Sequence, residues 1–276
     1  MVRALRALQD GIGNQFIFKG GTSLSKGWNL INRFSEDIDL LFRVDQAGTK
    51  ISGGEVDRRL EHAEDLVRKT PGFTFLKQTR SRSVRRCSDF SYPQAAGTTK
   101  PLSDTIRLEM GTRGGVEPST VRPVRSFVAE FAEAKGMKDV ADDLTPFNVE
   151  CLSITRTCVE KLFAAHAAFE RDRALNRTRH YYDLYHLLGI QEAADFLAAD
   201  DYRNVFADVL AYSHENFSSG AMPPEGGFSK SAAFRPSEED LRKLKRHYAA
   251  EKDIFFGETP SMEVILARLE SATSKI

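Results

Sequence analysis

The segment FSEDIDLLF, residues 34–42, places carboxylates inside a strongly apolar run. Asp37 and Asp39 alternate with Ile38 and Leu40, which is the period of a β-strand and gives the two aspartates one shared face. Two like charges on a half-buried strand are costly to desolvate unless a cation accompanies them. Asp-x-Asp is common at strand edges, but this pattern also suits a divalent cation, because Mg²⁺ often binds one or two carboxylates.

A glycine pair precedes this strand. Gly20 and Gly21 follow a predicted strand over Phe16–Lys19 and stand before a predicted helix that begins at Thr22. At a strand-to-helix turn, backbone N–H groups can point at an anion. Thr22 and Ser23 either donate hydroxyls to a phosphate or simply cap the helix. The glycine pair alone often marks only a turn, whereas its combination with Asp-x-Asp predicts a phosphate cradle beside a metal site.

In a two-metal site, a third carboxylate commonly helps to bind the metal ions. Glu109 in IRLEMGTR is the best candidate, because Arg107 and Glu109 alternate with apolar Ile106 and Leu108 in another predicted strand. Asp104 is less attractive because it stands at the start of that strand. The sequence therefore predicts Asp37, Asp39 and Glu109 as metal ligands.

The bulk composition limits the partners. The chain has 276 residues, with 39 Lys+Arg and 39 Asp+Glu, so a nucleic-acid partner requires a local basic patch. The run RDRALNRTRH offers Arg171, Arg173, Arg177 and Arg179 for RNA phosphates, although such runs are usually solvated faces. Three cysteines without a paired spacing indicate a reducing compartment. No run approaches the roughly 18 apolar residues of a membrane helix, so we expect a cytoplasmic protein without a membrane partner.

The order of predicted elements indicates an α+β fold, in which a mixed sheet with helices is followed by an all-helical C-terminal region. We expect a first domain over residues 1–146 and a helical domain over residues 147–276 that contributes to the active site. Apolar spacing predicts continuous helices over residues 22–34 and 147–171. VRPVRSFVAEFA, residues 121–132, predicts an edge strand.

The segment KGGTSLSKGWNLINRFSEDIDLLF resembles the opening motif of the AbiEii family of nucleotidyltransferase-like toxins, which includes the mycobacterial MenT toxins. The family joins Gly-Gly-Thr to a Ser-Glu-Asp-Ile-Asp block, and both stand here unbroken. VECLSITRTCVEKLFAAH and RTRHYYDLYHLL resemble later family helices that carry a lysine and an aspartate, here Lys161 and Asp183. The tail YAAEKDIFFGETPSMEVILARLE is also similar, so the resemblance covers nearly the whole chain.

The resemblance implies a nucleotidyltransferase fold that uses a nucleoside triphosphate and Mg²⁺ or Mn²⁺, and a toxin paired with an antitoxin encoded nearby. Some members add nucleotides, preferentially pyrimidines, to the 3′ acceptor end of tRNA, which blocks aminoacylation and translation. The implied catalytic residues are Asp37, Asp39, Lys161 and Asp183. The implied nucleotide-binding residues are Gly20, Gly21, Thr22, Ser23, Ser35 and Lys161.

Simpler interpretations stay open for two of these residues. Lys161 could extend its ammonium group from an apolar helix to solvent, or contact triphosphate oxygens as a point charge. Asp183 could pair with Arg179 one helical turn earlier, or orient Lys161, or act as a general base. A protein acceptor suits the same residues, whereas a non-catalytic binding module is disfavoured because degenerate copies normally lose part of such a set.

Overall fold

The computed structural model describes residues 1–46, 48–94, 103–137, 144–171, 178–199, 201–216, 222–274 and 276. The chain divides into two compact units. The first comprises Met1–Asn29 and Ser35–Leu152, and the second comprises Leu30–Phe34 and Ser153–Ile276.

The first unit contains one large mixed sheet. Its strands are β1 (Phe16–Lys19), β2 (Asp37–Phe42), β3 (Asp45–Gln46), β4 (Thr49–Lys50), β5 (Thr74–Ser81), β6 (Arg85–Ser91), β7 (Thr105–Gly111), β8 (Ser119–Val124) and β9 (Phe147–Leu152). Seven of them pair in the order β5-β6-β7-β2-β1-β9-β8, and β3 pairs with β4. The β2–β7 and β1–β9 pairs are parallel, and the other pairs in this sheet are antiparallel.

Helices belong to both units. The first unit has α1 (Val2–Ile12), α2 (Gly20–Lys26), α3 (Gly53–Lys69) and α4 (Phe127–Ala134). The second unit has α5 (Ile154–Glu170), α6 (Arg179–Leu187), α7 (Gln191–Ala198), α8 (Tyr202–Asn216), α9 (Glu238–Ala250) and α10 (Met262–Thr273). The expected α+β class, a mixed sheet followed by helices, is confirmed. In the part of the chain that the structure describes, no helix is long and apolar enough to cross a bilayer.

The two faces of the sheet differ in chemistry. Ile38 and Leu40 of β2 join a buried core with Leu5 and Leu8 of α1 and Leu60 of α3. The alternation that buries these residues turns the odd-numbered residues of β2 to the other face. The apolar face therefore packs against α1 and α3, and Asp37 and Asp39 lie on the opposite face.

The helix predicted over residues 22–34 is wrong beyond Lys26, where α2 ends. The Trp28 indole N–H donates to the Leu152 carbonyl oxygen at 3.1 Å, and Asn29 adopts a positive φ of 52°. A positive φ at a non-glycine residue cannot continue a right-handed helix. The apolar residues after Lys26 therefore have helical spacing although the backbone there is not helical.

The helix predicted over residues 147–171 is wrong before Ile154. Phe147–Leu152 forms β9, which lies between β1 and β8 in the sheet. Helix α5 begins only after Ser153, whose hydroxyl accepts the Arg156 backbone N–H at 3.1 Å. A short apolar run is compatible with either a buried strand or a buried helix. Residues 147–152 form a strand because they pair with β1 and β8. The edge strand predicted within residues 121–132 is present as part of β8, and the rest of that segment leads into α4.

Candidate active site

The carboxylates of β2 lie where the sequence predicts them. Asp37 and Asp39 are half-buried on the face opposite Ile38 and Leu40. The parallel strand β7 places Glu109 directly beside Asp39 in register. Neighbouring strands are about 4.8 Å apart, so carboxylates on the same face of β2 and β7 share one local environment.

Gly20 makes room for one of these carboxylates. Its φ is +75°, and a Cβ built on it would lie 2.1 Å from Asp39 Oδ2. Lys19, the preceding residue, is paired in register with Asp39. Only a residue without a side chain combines this backbone conformation with such a close approach. The turn between β1 and α2 therefore abuts the acidic strand, as a phosphate cradle beside a metal site requires.

The hydroxyls near this turn already have protein partners. Thr22 is buried, and its hydroxyl donates to the Asp37 carbonyl oxygen. Ser23 is also buried and hydrogen-bonds the Cys151 thiol. These contacts fix α2 against the start of β2 and against β9. Phosphate binding by Thr22 and Ser23 stays a prediction, as does the role of the half-buried Ser35.

The carboxylate set fits a cation that binds together with a substrate. Among the described residues, no three His, Cys, Asp or Glu side chains form a metal-binding group. Asp37 and Asp39 nevertheless provide the one or two carboxylates with which Mg²⁺ is commonly held when substrate phosphates and waters complete its shell. A third ligand role for Glu109 stays a prediction.

A second charged cluster lies within the second unit. The Asp183 carboxylate of α6 is 0% exposed and accepts Arg33 Nε at 2.7 Å on Oδ1 and Arg33 Nη2 at 2.8 Å on Oδ2. Lys161 of α5, whose side chain is 9% exposed, lies with Nζ 2.7 Å from Asp183 Oδ2. We call Arg33, Lys161 and Asp183 the buried trio. Lys161 and Asp183 thus come together as the resemblance implies.

Arg33 is the member that sequence reasoning missed. The segment 30–34 is held by backbone hydrogen bonds from Phe34 N–H to the Ile254 oxygen and from Phe256 N–H to the Asn32 oxygen, at 2.8 and 2.9 Å. Arg33 and Asp183 are 150 positions apart. No local spacing links them, and the only signal in the sequence is a basic residue just before the acidic block.

The electrostatics of the buried trio favour one role for Asp183 over another. Burial by itself would raise the pKa of Asp183, but the charges of Arg33 and Lys161 outweigh it and hold the pKa well below its usual range. Both carboxylate oxygens accept hydrogen bonds from cations, whereas a general base must take up a proton. The geometry therefore favours orientation of Lys161. The three side chains carry two positive charges and one negative charge, and Glu251 supplies a further negative charge that acts on Arg33.

The predicted RNA-binding arginines are only partly placed. Arg171 directly follows the end of α5, and Arg179 begins α6; both are half-buried. Arg173 and Arg177 lie outside the described residues. RNA binding by these four arginines stays a prediction.

A known family accounts for nearly the whole chain. The family model described as the nucleotidyl transferase AbiEii toxin of a type IV toxin–antitoxin system matches residues 3–271. Comparison with curated protein sequences gave no match. The matched span includes both the β2 carboxylates and the buried trio. Members are transferases that generally use a nucleoside triphosphate with a divalent metal, and they are paired with an antitoxin. The chain belongs to the AbiEii nucleotidyl transferase toxin family.

Proposed function

We propose that the protein transfers nucleotides from CTP or UTP to the 3′ acceptor end of tRNA in the cytoplasm, and so blocks aminoacylation and translation. The observation that carries nucleotidyl transfer is the contact between Gly20 and the Asp39 carboxylate, which joins a glycine turn to an acidic strand. The pyrimidine and the tRNA acceptor follow from the family resemblance.

The β2 carboxylates and the glycine turn would hold the reacting phosphates. Asp37 and Asp39 bind Mg²⁺ or Mn²⁺ together with the triphosphate, and Glu109 is the candidate third ligand. Such a cation, when bound, polarises the phosphoryl oxygens and stabilises charge on the leaving group. The backbone of Gly20 and Gly21 approaches the phosphates without a side chain in the way.

The transfer itself needs positioning more than covalent chemistry. The acceptor 3′ oxygen forms a bond to the α-phosphorus, the bond from that phosphorus to pyrophosphate breaks, and the hydroxyl proton passes to solvent. Lys161 contacts the triphosphate oxygens as a point charge. Asp183 holds the Lys161 ammonium in place, and Arg33 fixes Asp183.

Labelled nucleotides test this proposal directly. Purified protein is incubated with each labelled nucleoside triphosphate and total tRNA, and label at the RNA 3′ end is measured. We expect CTP or UTP to label tRNA, and Asp37→Asn to reduce the rate by about 100-fold, a size typical for a lost electrostatic group in an active site.

Asp65→Asn is the matched control. It makes the same chemical change on α3, where the side chain is 45% exposed, and should leave labelling unchanged. Full activity in Asp37→Asn would refute the metal-binding role. Label that resists ribonuclease but not protease would instead identify a protein acceptor and refute the tRNA assignment.

A further inference from the structure

A polar cleft lies on the same sheet face as the β2 carboxylates. It has a volume of about 190 Å³ and is formed by β5, β6 and β7. Ligand pockets usually measure about 300–1,000 Å³, so this cleft is too small to enclose a whole nucleoside triphosphate. It suits one segment of a longer ligand. We call it the β5–β7 cleft.

Three cations and two carboxylates line the cleft, namely Lys77, Arg85, Arg107, Asp89 and Glu109. The cations are accessible: the side chains of Lys77 and Arg107 are 72% and 47% exposed, and Arg85 is also exposed.

The carboxylate of Asp89 is already paired with two cations. It accepts Arg107 Nε at 2.8 Å and lies 3.4 Å from Lys77 Nζ. The hydrogen bond from Arg107 outweighs burial and lowers the pKa of Asp89, so it stays ionised and paired. Burial raises the pKa of the Cys87 thiol, which therefore adds no negative charge. The described lining residues thus carry three positive and two negative charges, and Asp89 takes up part of the charge of Arg107 and Lys77, which leaves Arg85 as the cation farthest from a carboxylate partner among the lining ion pairs.

The register of the sheet places the cleft on one side of the acidic strand. Asp39 pairs with Glu109, Glu109 with Cys87, and Cys87 with Thr79, so the cleft extends from Glu109 away from β2. Gly20 follows β1, the strand on the opposite side of β2. The order across this face is therefore glycine turn, carboxylates, cleft.

This order matches the geometry of an in-line transfer. The entering and leaving oxygens lie on opposite sides of the reacting phosphorus. If the glycine turn holds the leaving phosphates, the acceptor enters from the side of Glu109 and the cleft. This step rests on the proposed function.

We propose that the β5–β7 cleft binds the phosphodiester backbone of the RNA acceptor immediately upstream of its 3′ end. Exposed Lys77 and Arg85 are its principal phosphate contacts, since exposed cations along an open groove follow a nucleic-acid backbone. No aromatic side chain is among its described lining residues. The described lining therefore offers cations for phosphates and no ring on which a base can stack.

The double variant Lys77→Gln/Arg85→Gln tests the cleft. We expect the KM for RNA to rise about tenfold at low salt, and the slope of log affinity against log salt to fall by about 0.7 for each lost phosphate contact. The KM for the nucleoside triphosphate and the kcat at saturating RNA should stay unchanged. RNA affinity is also measured without nucleotide, by fluorescence anisotropy of a single-stranded RNA that matches the tRNA acceptor end.

The double variant Arg80→Gln/Arg82→Gln is the matched control. It removes the same charge from the same hairpin, but Arg80 faces away from the cleft in register with Arg86, and Arg82 is 89% exposed at the turn. It should match the wild type in both assays, and thermal melting confirms that both variants fold.

The outcomes separate this proposal from the proposed function. If the wild-type protein labels no RNA, the proposed function fails. The anisotropy measurement still tests whether the β5–β7 cleft binds RNA, because it does not depend on nucleotide transfer. Unchanged RNA affinity and salt slope in Lys77→Gln/Arg85→Gln would overturn the cleft proposal, as would a raised KM for the nucleoside triphosphate alone.

Discussion

The buried trio predicts a large loss of stability for one substitution and a small change for another. Asp183→Asn removes the shared carboxylate and leaves Arg33 and Lys161 buried, with side chains 3% and 9% exposed. Lys161→Met removes one cation and leaves Arg33 and Asp183 as a neutral pair joined by two hydrogen bonds. The two variants therefore separate the need for a counter-charge from the need for a lysine.

The magnitudes follow from burial. Removing one partner of a buried ion pair costs about 3–5 kcal/mol, because the other charge is left without compensation. The charge of Glu251 also acts on Arg33, so we expect the lower end, about 3 kcal/mol, for Asp183→Asn. Lys161→Met should change stability by less than about 1 kcal/mol, because a buried cation is replaced by an apolar side chain of similar length. With about 2–4 °C per kcal/mol, the first variant loses about 6–12 °C in Tm and the second less than about 4 °C.

Two measurements check this prediction. Thermal unfolding is followed by far-UV circular dichroism, which reports on helices, while the fluorescence of Trp28 reports on the first unit. Nucleotide transfer by Lys161→Met should fall by about 100-fold despite its retained stability. Lys245→Met, the same change at a side chain 44% exposed, is the control. If Asp183→Asn were no less stable than Lys161→Met, the counter-charge reasoning would be wrong.

Two further predictions concern the first unit. Gly20→Ala should reduce nucleotide transfer by about 100-fold, because its Cβ would displace the Asp39 carboxylate. Gly54→Ala is the control, since a Cβ at Gly54 meets nothing within 4 Å. Equal transfer rates in the two variants would contradict the role of the turn. Burial raises the pKa of Glu64, but hydrogen bonds, the largest from Arg86, lower it overall from 4.5 to about 2. At a pH above 4.5, this lowered pKa stabilises the fold by up to about 3 kcal/mol, and the contribution is lost as the pH falls from 4.5 through about 2. Chemical unfolding of wild type and Glu64→Gln should therefore differ most near neutral pH and converge in acid; a constant difference would refute this.

Local patterns in the sequence were sufficient for the elements that carry the carboxylates. The alternation of Asp37 and Asp39 with apolar residues fixed a strand and its two faces, because side chains on a strand alternate with period two. The glycine pair after Phe16–Lys19 indicated a turn that needs unusual backbone freedom, and Gly20 has the positive φ that such a turn requires. The order of motifs along the chain also identified the family.

Tertiary contacts decided what local patterns could not. Residues 147–152 form a strand because β1 and β8 supply hydrogen-bonding partners on both sides, although their apolar spacing also fits a helix. The helix after Gly20 ends early, where Trp28 bonds to Leu152 across 124 positions. Arg33 belongs to the buried trio only because the fold brings it to Asp183, whose buried carboxylate needs a cationic partner. The sequence by itself determined the chemistry of the acidic strand, and the fold determined which distant charges hold Lys161.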